Sequence, residues 1–311
     1  MSGTTLAAFD GVSKSFGRNV ALRGLSFEVA EGAVCGLLGP NGSGKTTAIR
    51  ILLGLGRADA GSAGLLGVPV GGTGFASAVR QTGSLIEGPA LYERATARQN
   101  MKIQAAARDI RRPAAEIDSL LELVDLRGRA DSKAGGFSMG MKQRLGLAMA
   151  LLGSPRLVIL DEPTNGLDPS GIVEIRKLIA RLPESGVSVL VSSHLLSEVE
   201  LMCDRVTIIN RGEMVADGTI AEVLSTATGE DSFIVGVPSE ESDRATRALT
   251  GLGLTVSPRG DGALNVSGPV TDGSQISCVL AGEGIYVSRL QSDSPDLERV
   301  FLDLTGDDDE V

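Results

Sequence analysis

The 311-residue sequence predicts an α/β fold: a mainly parallel sheet with helices on both faces and a helical insert, followed by a small α+β unit. Three observations carry this prediction. Short, continuous apolar runs alternate with amphipathic helical patterns, as buried parallel strands and their crossover helices do. A long middle stretch has helical periodicity and no strand between its helices. The last third changes to a β-α-β-β-α-β order, which matches a ferredoxin-like unit.

In chain order, "LSFEVAEGAVCGLLGP" reads as a strand, a Glu-Gly turn and a second strand of buried length from Ala33 to Leu38. A glycine-rich loop follows at once, and "TTAIRILLGLG" is then a helix that stops at Gly54 or Gly56. From about Gly83 to Leu152, "ARQNMKIQAAARDI" and "PAAEIDSLLELVDL" follow each other as helices, which defines the insert. "RLVIL" is a buried strand ending at Asp161, and "VSVLVS" is another ending just before His194, the single histidine of the chain. Between them, "DPSGIVEIRKLIARL" starts a helix with Asp168 as N-cap and Pro169 at its first position. Ile172, Ile175, Ile179 and Leu182 fall on one face.

From about Thr226, "SFIVGV" reads as a strand, "SEESDRATRALTGLG" as a helix and "LTVSPRGDGALNVSG" as a hairpin. "SQISCVLAGEG" is a helix, "IYVSRL" a strand and "PDLERVFLDL" a closing helix. The expected organisation is a main domain over 1–225, with its helical insert over about 83–152, and an accessory domain over 226–311.

Charge and cysteine usage narrow the function. With 29 basic and 39 acidic residues the net charge is −10, which argues against a nucleic-acid surface built on concentrated Lys and Arg. Asp307, Asp308, Asp309 and Glu310 repel one another and are expected to form a solvated tail. Cys35, Cys203 and Cys278 lie far apart without a C-x-x-C pair, so neither a disulfide framework nor a zinc site is expected, and a reducing cytosol fits. There is no basic-then-apolar leader and no run of about 18 apolar residues, so neither an export signal nor an attached membrane segment is expected.

The chemistry begins at "GPNGSGKTT", which satisfies G-x-x-x-x-G-K-[ST] between a predicted strand and a predicted helix. Gly39, Asn41, Gly42, Ser43, Gly44, Lys45, Thr46 and Thr47 are therefore candidate nucleotide contacts. The glycines let backbone N–H groups surround phosphate oxygens, Lys45 neutralises the β and γ groups, and the Thr46 hydroxyl can ligate Mg²⁺. An ordinary glycine-rich turn with a surface lysine is the bland alternative. In "LVILDEPTNGLDP", Asp161 and Glu162 emerge together from a buried strand. Asp161 suits a magnesium shell, and Glu162 suits the orientation and polarisation of an attacking water.

With these motifs in place, the chain from Leu6 to Leu224 resembles the ATP-binding cassette family, the nucleotide-binding subunits of membrane transporters. "FSMGMKQR" is similar to that family's signature segment, although Met139 replaces its usual glycine and Met141 its usual glutamine. The resemblance implies that Ser138 and Gly140 complete the site of a second copy, or of a related ATPase subunit, so that two chains sandwich two ATP molecules head to tail. Read without the family, Ser138 is an ordinary helix cap. The resemblance also implies that His194 reaches the γ-phosphate and helps position Glu162 and the water, and that Asp168 in "NGLD" meets the partner chain. Phe16 takes the position of the aromatic residue that stacks on adenine, with a strand-edge core residue as the alternative.

In "RQTGSLIEGPALYERAT", Glu87 stands where most cassettes carry a glutamine that contacts Mg²⁺ and water, while Gln81 six residues earlier aligns less well. A glutamate at that position resembles the bacitracin-type and lantibiotic-protection exporters, which implies export of antibiotic or peptide-like compounds. The function this implies is an ATPase subunit at the cytoplasmic face of the membrane, driving a separately encoded permease with ATP and Mg²⁺. Two alternatives stand beside it: a cassette ATPase acting on ribosomes or in DNA repair, and a kinase built on the same phosphate loop.

Overall fold

The computed structural model describes residues 4–225, 232–268, 272–293 and 296–305. Thr226 and the acidic residues 307–310, singled out above, lie outside the described residues. Contacts divide the chain into two compact units that meet at Val223 and Leu224.

The first unit opens with β1 (Thr5–Phe16), β2 (Asn19–Ala30), β3 (Val34–Leu38), α1 (Lys45–Leu52), β4 (Ala60–Leu65) and β5 (Val68–Pro69). It continues with α2 (Phe75–Arg80), β6 (Thr82–Leu85), α3 (Ala97–Ala107), α4 (Ala114–Leu123), α5 (Met139–Leu151) and β7 (Leu157–Asp161). α6 (Pro169–Arg181), β8 (Ser188–Ser193), α7 (Leu196–Glu200), β9 (Arg205–Asn210), β10 (Glu213–Thr219) and α8 (Ile220–Leu224) complete it. The strands form two sheets. One is antiparallel in the order β2-β1-β4-β5, and the other runs β10-β9-β3-β8-β7-β6. In the second, every pairing is parallel except that of the edge strand β10.

Burial explains the sequence pattern. Every residue of β3, β7 and β8 is buried, so the middle of each of these central strands is apolar, and β7 and β8 end on polar residues. Those ends carry Asp161 and the Ser192–Ser193 pair to one edge of the sheet, where ligands of open parallel sheets collect.

The expected insert boundary needs correction. Residues 82–85 are a strand, β6, paired in parallel with β7 from Thr82↔Leu157 to Leu85↔Leu160, so Gly83 lies inside the sheet and the helical segment starts after it. "TGSL" hides this strand because it has no apolar run. Its glycine is required by a close approach: a Cβ on Gly83 would stand 2.1 Å from the Ala150 carbonyl oxygen at the end of α5. The helices α3, α4 and α5 then pack around Met101, Ile117, Leu121 and Leu145. Fully buried Asn100 accepts from the Tyr92 N–H at 2.8 Å and donates to the Thr96 carbonyl at 2.9 Å, which ties the loop after β6 to α3.

The second unit contains β11 (Ser232–Gly236), α9 (Ser242–Thr250), β12 (Thr255–Pro258), β13 (Leu264–Ser267), α10 (Gly273–Gly282), β14 (Arg289–Ser292) and α11 (Leu297–Thr305). Its antiparallel sheet has the order β12-β13-β11-β14, around a core of Val235, Leu249, Leu264, Ile276 and Leu280. Here the strand expected over "IYVSRL" begins only at Arg289. The Ile285 N–H donates to the Leu280 carbonyl at 2.8 Å after Gly284 takes φ 73°, so Ile285 closes α10 instead of joining the sheet.

Candidate functional site

The loop between β3 and α1 is shaped by approaches that admit no side chain. A Cβ on Gly39 would lie 2.1 Å from the Ile209 carbonyl oxygen, and one on Gly44 would lie 2.6 Å from the Ala21 carbonyl oxygen. Gly44 caps α1 in the left-handed region at φ 111°, with no side chain to satisfy the first N–H groups of that helix. Those N–H groups, from Lys45 onward, face the loop as donors for an anion. Ser43 Oγ is buried within the loop and has no hydrogen-bond partner, so a polar group held there would satisfy it.

Lys45 is buried, and its Nζ donates to the carbonyls of Gly39 at 2.7 Å and Pro40 at 3.2 Å. The same Nζ is 3.3 Å from Glu162 Oε1. A ladder of hydrogen bonds runs on from there. Thr46 Oγ1 donates to Asp161 Oδ2 at 2.9 Å, and Ser192 Oγ donates to Asp161 Oδ1 at 2.5 Å. Ser192 Oγ also accepts from the Glu162 N–H at 3.0 Å. Glu162 leaves β7 in the left-handed region at φ 50°, and its Oε2 lies 2.7 Å from His194 Nδ1. An ionised carboxylate only accepts, so in this bond Nδ1 carries a proton and donates to Glu162.

A cavity of about 290 Å³ adjoins this cluster, lined by Phe16, Asn19, Asn41, Gly42, Lys45, Thr46, Thr47 and Glu162. Phe16 is 59 % exposed at the end of β1, so it is an exposed aromatic ring and not a core residue. Lys14 Nζ lies 5.4 Å from its ring centroid and is bound at 2.8 Å by Asp59, which also accepts from the Ser15 N–H at 2.7 Å. Those two bonds hold the Asp59 carboxyl below its ordinary value and fix the strand end that presents Phe16. A larger cleft of about 620 Å³, between Ile51, Pro69, Val70 and Phe75, has Arg57 as the ionisable residue of its lining and no cluster of acids or bases. The smaller cavity holds the chemistry.

The donor set suits magnesium. Thr46 and Asp161 present hard oxygen atoms, and among the described residues no group of three or more His, Cys, Asp or Glu is positioned around a metal. Mg²⁺ is bound in just this way in phosphoryl-transfer sites, through one or two protein oxygens plus substrate phosphates and water.

Five candidates lie apart from both the cavity lining and the hydrogen-bonded cluster beside it. The Glu87 carboxylate, assigned above to the metal, is instead paired with Arg50 in the last turn of α1. Its backbone takes φ 56°, which turns the loop toward that arginine. Gln81 ends α2 and reaches back to Ser77 at 3.3 Å. Ser138 caps α5, accepting from the Met141 N–H at 3.3 Å, and a Cβ on Gly140 would meet nothing nearer than Leu167 Cδ2 at 4.0 Å. Asp168 caps α6, accepting from the Gly171 N–H at 3.2 Å. Two residues were missed by the sequence reading. Ser192 is hidden in an apolar strand, where its only signal is a hydroxyl two positions before the histidine. Arg50 looks like an ordinary basic residue at a helix C-terminus.

Comparison with known proteins bears on the family and the fold. The family model described as ABC transporter matches residues 22–165. The daunorubicin resistance ATP-binding protein DrrA3 of Streptomyces coeruleorubidus is 37 % identical over 99 % of this chain and 98 % of its own length. The bacitracin transport ATP-binding protein BcrA of Bacillus licheniformis is 42 % identical over 69 % of this chain and 70 % of its own. A solved ATP binding subunit of an ABC transporter superposes with a TM-score of 0.64 at 30 % identity, covering 71 % of this chain and 92 % of that one. Relatedness along the whole length means that this chain belongs to the ATP-binding subunits of ABC transporters and is an ATPase.

Proposed function

We propose that this chain powers an exporter, working as a head-to-tail pair of like subunits on a separate membrane permease, and that Glu162 is its catalytic base. The observation that carries the catalytic part is the position of Glu162 between Lys45 and His194. One carboxylate oxygen faces the phosphate-binding lysine and the other the imidazole. A water beside Glu162 is thereby aligned for attack on the γ-phosphorus while the carboxylate takes its proton; the β–γ bond breaks, and ADP and phosphate leave. Lys45 leaves its carbonyl contacts to neutralise phosphate oxygens. With Nδ1–H on the carboxylate, His194 holds Glu162 in position, and its Nε2 bonds a γ-phosphate oxygen by donating a proton to it. Thr46 and Asp161 would hold Mg²⁺, which when bound neutralises charge on the β- and γ-oxygens. Phe16 offers its exposed ring to the adenine.

Ser138 and Gly140 open the exposed N-terminal end of α5 and do not line their own chain's cavity. In the paired arrangement they close the site of the partner, and Asp168 at the start of α6 meets the other chain. Export is supported by the bacitracin-transport and daunorubicin-resistance relatives. Among the described residues no helix is long and apolar enough to cross a membrane, and the reading gives that task to a permease with this subunit on its cytoplasmic face.

Glu162→Gln tests the catalytic assignment. The amide keeps shape and hydrogen bonding but cannot take the proton, so ATP binding should persist while phosphate release falls by about two orders of magnitude or more. An ATP-dependent dimer should accumulate in size-exclusion chromatography. Phosphate release near that of the parent would reject the assignment, and failure to copurify a membrane protein from the native cell would count against the exporter.

A further inference from the structure

We propose that Arg50 is a positioning residue: it holds the Glu87 loop one helical turn away from Thr46 and releases it when nucleotide and metal arrive. This rests on the reading of Thr46 and Asp161 as the magnesium-holding pair. Thr46 and Arg50 are four residues apart on α1, so their side chains stack on one face of the helix, about 6 Å apart along its axis. Thr46 Oγ1 is bound to Asp161, and Arg50 is bound to Glu87. The carboxylate expected at the metal therefore sits on the correct face of the correct helix, one turn too far along it.

The loop is built for a short excursion. On one side it is anchored by buried Leu85 in β6, and on the other by the Tyr92 N–H held on Asn100. Between these anchors, Glu87 and Gly88 both occupy the left-handed region, at φ 56° and 97°. That conformation is unfavourable for glutamate, so leaving it relieves backbone strain. The backbone of Arg50, by contrast, is held in place, since its carbonyl accepts from the N–H groups of Leu55 at 2.8 Å and Gly56 at 3.1 Å. The ion pair is solvent-exposed, with side chains 46 % and 64 % accessible, so it is weak enough to be exchanged for a phosphate-bound cation.

The chain contains no tryptophan, so Tyr92→Trp gives a single reporter on an exposed residue of this loop. The test is made on the full chain carrying Tyr92→Trp and Glu162→Gln, with and without ATP and Mg²⁺. Without nucleotide, Arg50→Ala should move the emission toward that of the loaded parent, while Arg50→Lys, which keeps a cation, should leave it in place. At fixed ATP, Arg50→Ala should lower the Mg²⁺ concentration giving half the emission change by about two- to fivefold, the range of an exposed ion pair. Added Glu87→Ala should erase both effects. Parent-like emission and Mg²⁺ dependence in Arg50→Ala would overturn the proposal, as would equal shifts with and without the Glu87 carboxylate, or a reporter silent to both nucleotide and substitution. Normal phosphate release in the Glu162→Gln background would instead sink the reading of the site, and the nucleotide-free comparison would still decide the role of Arg50.

Discussion

Ser192 makes two bonds that no neighbour can replace: it donates to Asp161 and accepts from the Glu162 N–H, and it is fully buried. Ser192→Ala would leave one buried carboxylate oxygen and one buried N–H without partners. Each orphaned group costs about 1–3 kcal/mol, so the urea midpoint should fall clearly, and turnover should fall with it because both carboxylates lose their support. An unchanged midpoint would mean that water takes over the hydroxyl's place. The charged and aromatic members of the cluster were legible as residue types because their chemistry is conspicuous: a lysine in a glycine loop, two acids at a strand end, one histidine in the whole chain. Ser192 was not, since a serine inside "VLVSS" is indistinguishable from strand filler until the strand is placed beside Asp161.

Elements with a strong period were read correctly, and those defined by contact were not. α6 announces itself through Asp168, Pro169 and its isoleucine face, and the structure shows the cap bond and buries Ile175 and Ile179. β6 carries no such mark; it exists because Gly83 lets α5 and β7 close on either side of it. Gly83→Ala would push a methyl group to within 2.1 Å of the Ala150 carbonyl oxygen and toward Val158 Cγ2 at 3.2 Å. Backbone cannot yield as a flexible side chain can, so the substitution should cost about 1–3 kcal/mol or more by thermal or urea unfolding. A neutral Gly83→Ala would show that β6 can slide outward from the sheet. The late start of β14 has the same origin. Its apolar "IYV" reads as strand, yet Ile285 is taken by the end of α10, a competition between neighbours that periodicity alone does not rank.

At the scale of the whole chain, every residue of the nucleotide cluster lies before Val223. A chain ending at Leu224 is accordingly expected to bind ATP as the full chain does, by calorimetry; loss of binding in a folded truncation would show that the second unit supports the site. The thiols give an independent probe of integrity. Cys35 and Cys203 are buried, and burial pushes both above the ordinary thiol value, whereas Cys278 is exposed. A thiol reagent should therefore label one cysteine rapidly in the native protein and all three in denaturant. Because the folded thiols keep their protons where the unfolded ones ionise, stability is fully present below about pH 8.5 and declines as pH rises above it. Cys203→Ala should flatten that decline, read as urea midpoints across the alkaline range. One further consequence follows from the packing of α5. Its 13 residues span about 20 Å, from the cap at Ser138 to the carbonyl pressed on Gly83, and Gly146 seats it so closely that a Cβ would stand 2.7 Å from Pro89 and 3.1 Å from Leu85. Those two contacts straddle Glu87. The helix is thus a lever with its handle on the surface and its tip under the loop, and because a close-packed seat does not deform smoothly, a push on the handle is felt at Glu87 as displacement and not as diffuse strain.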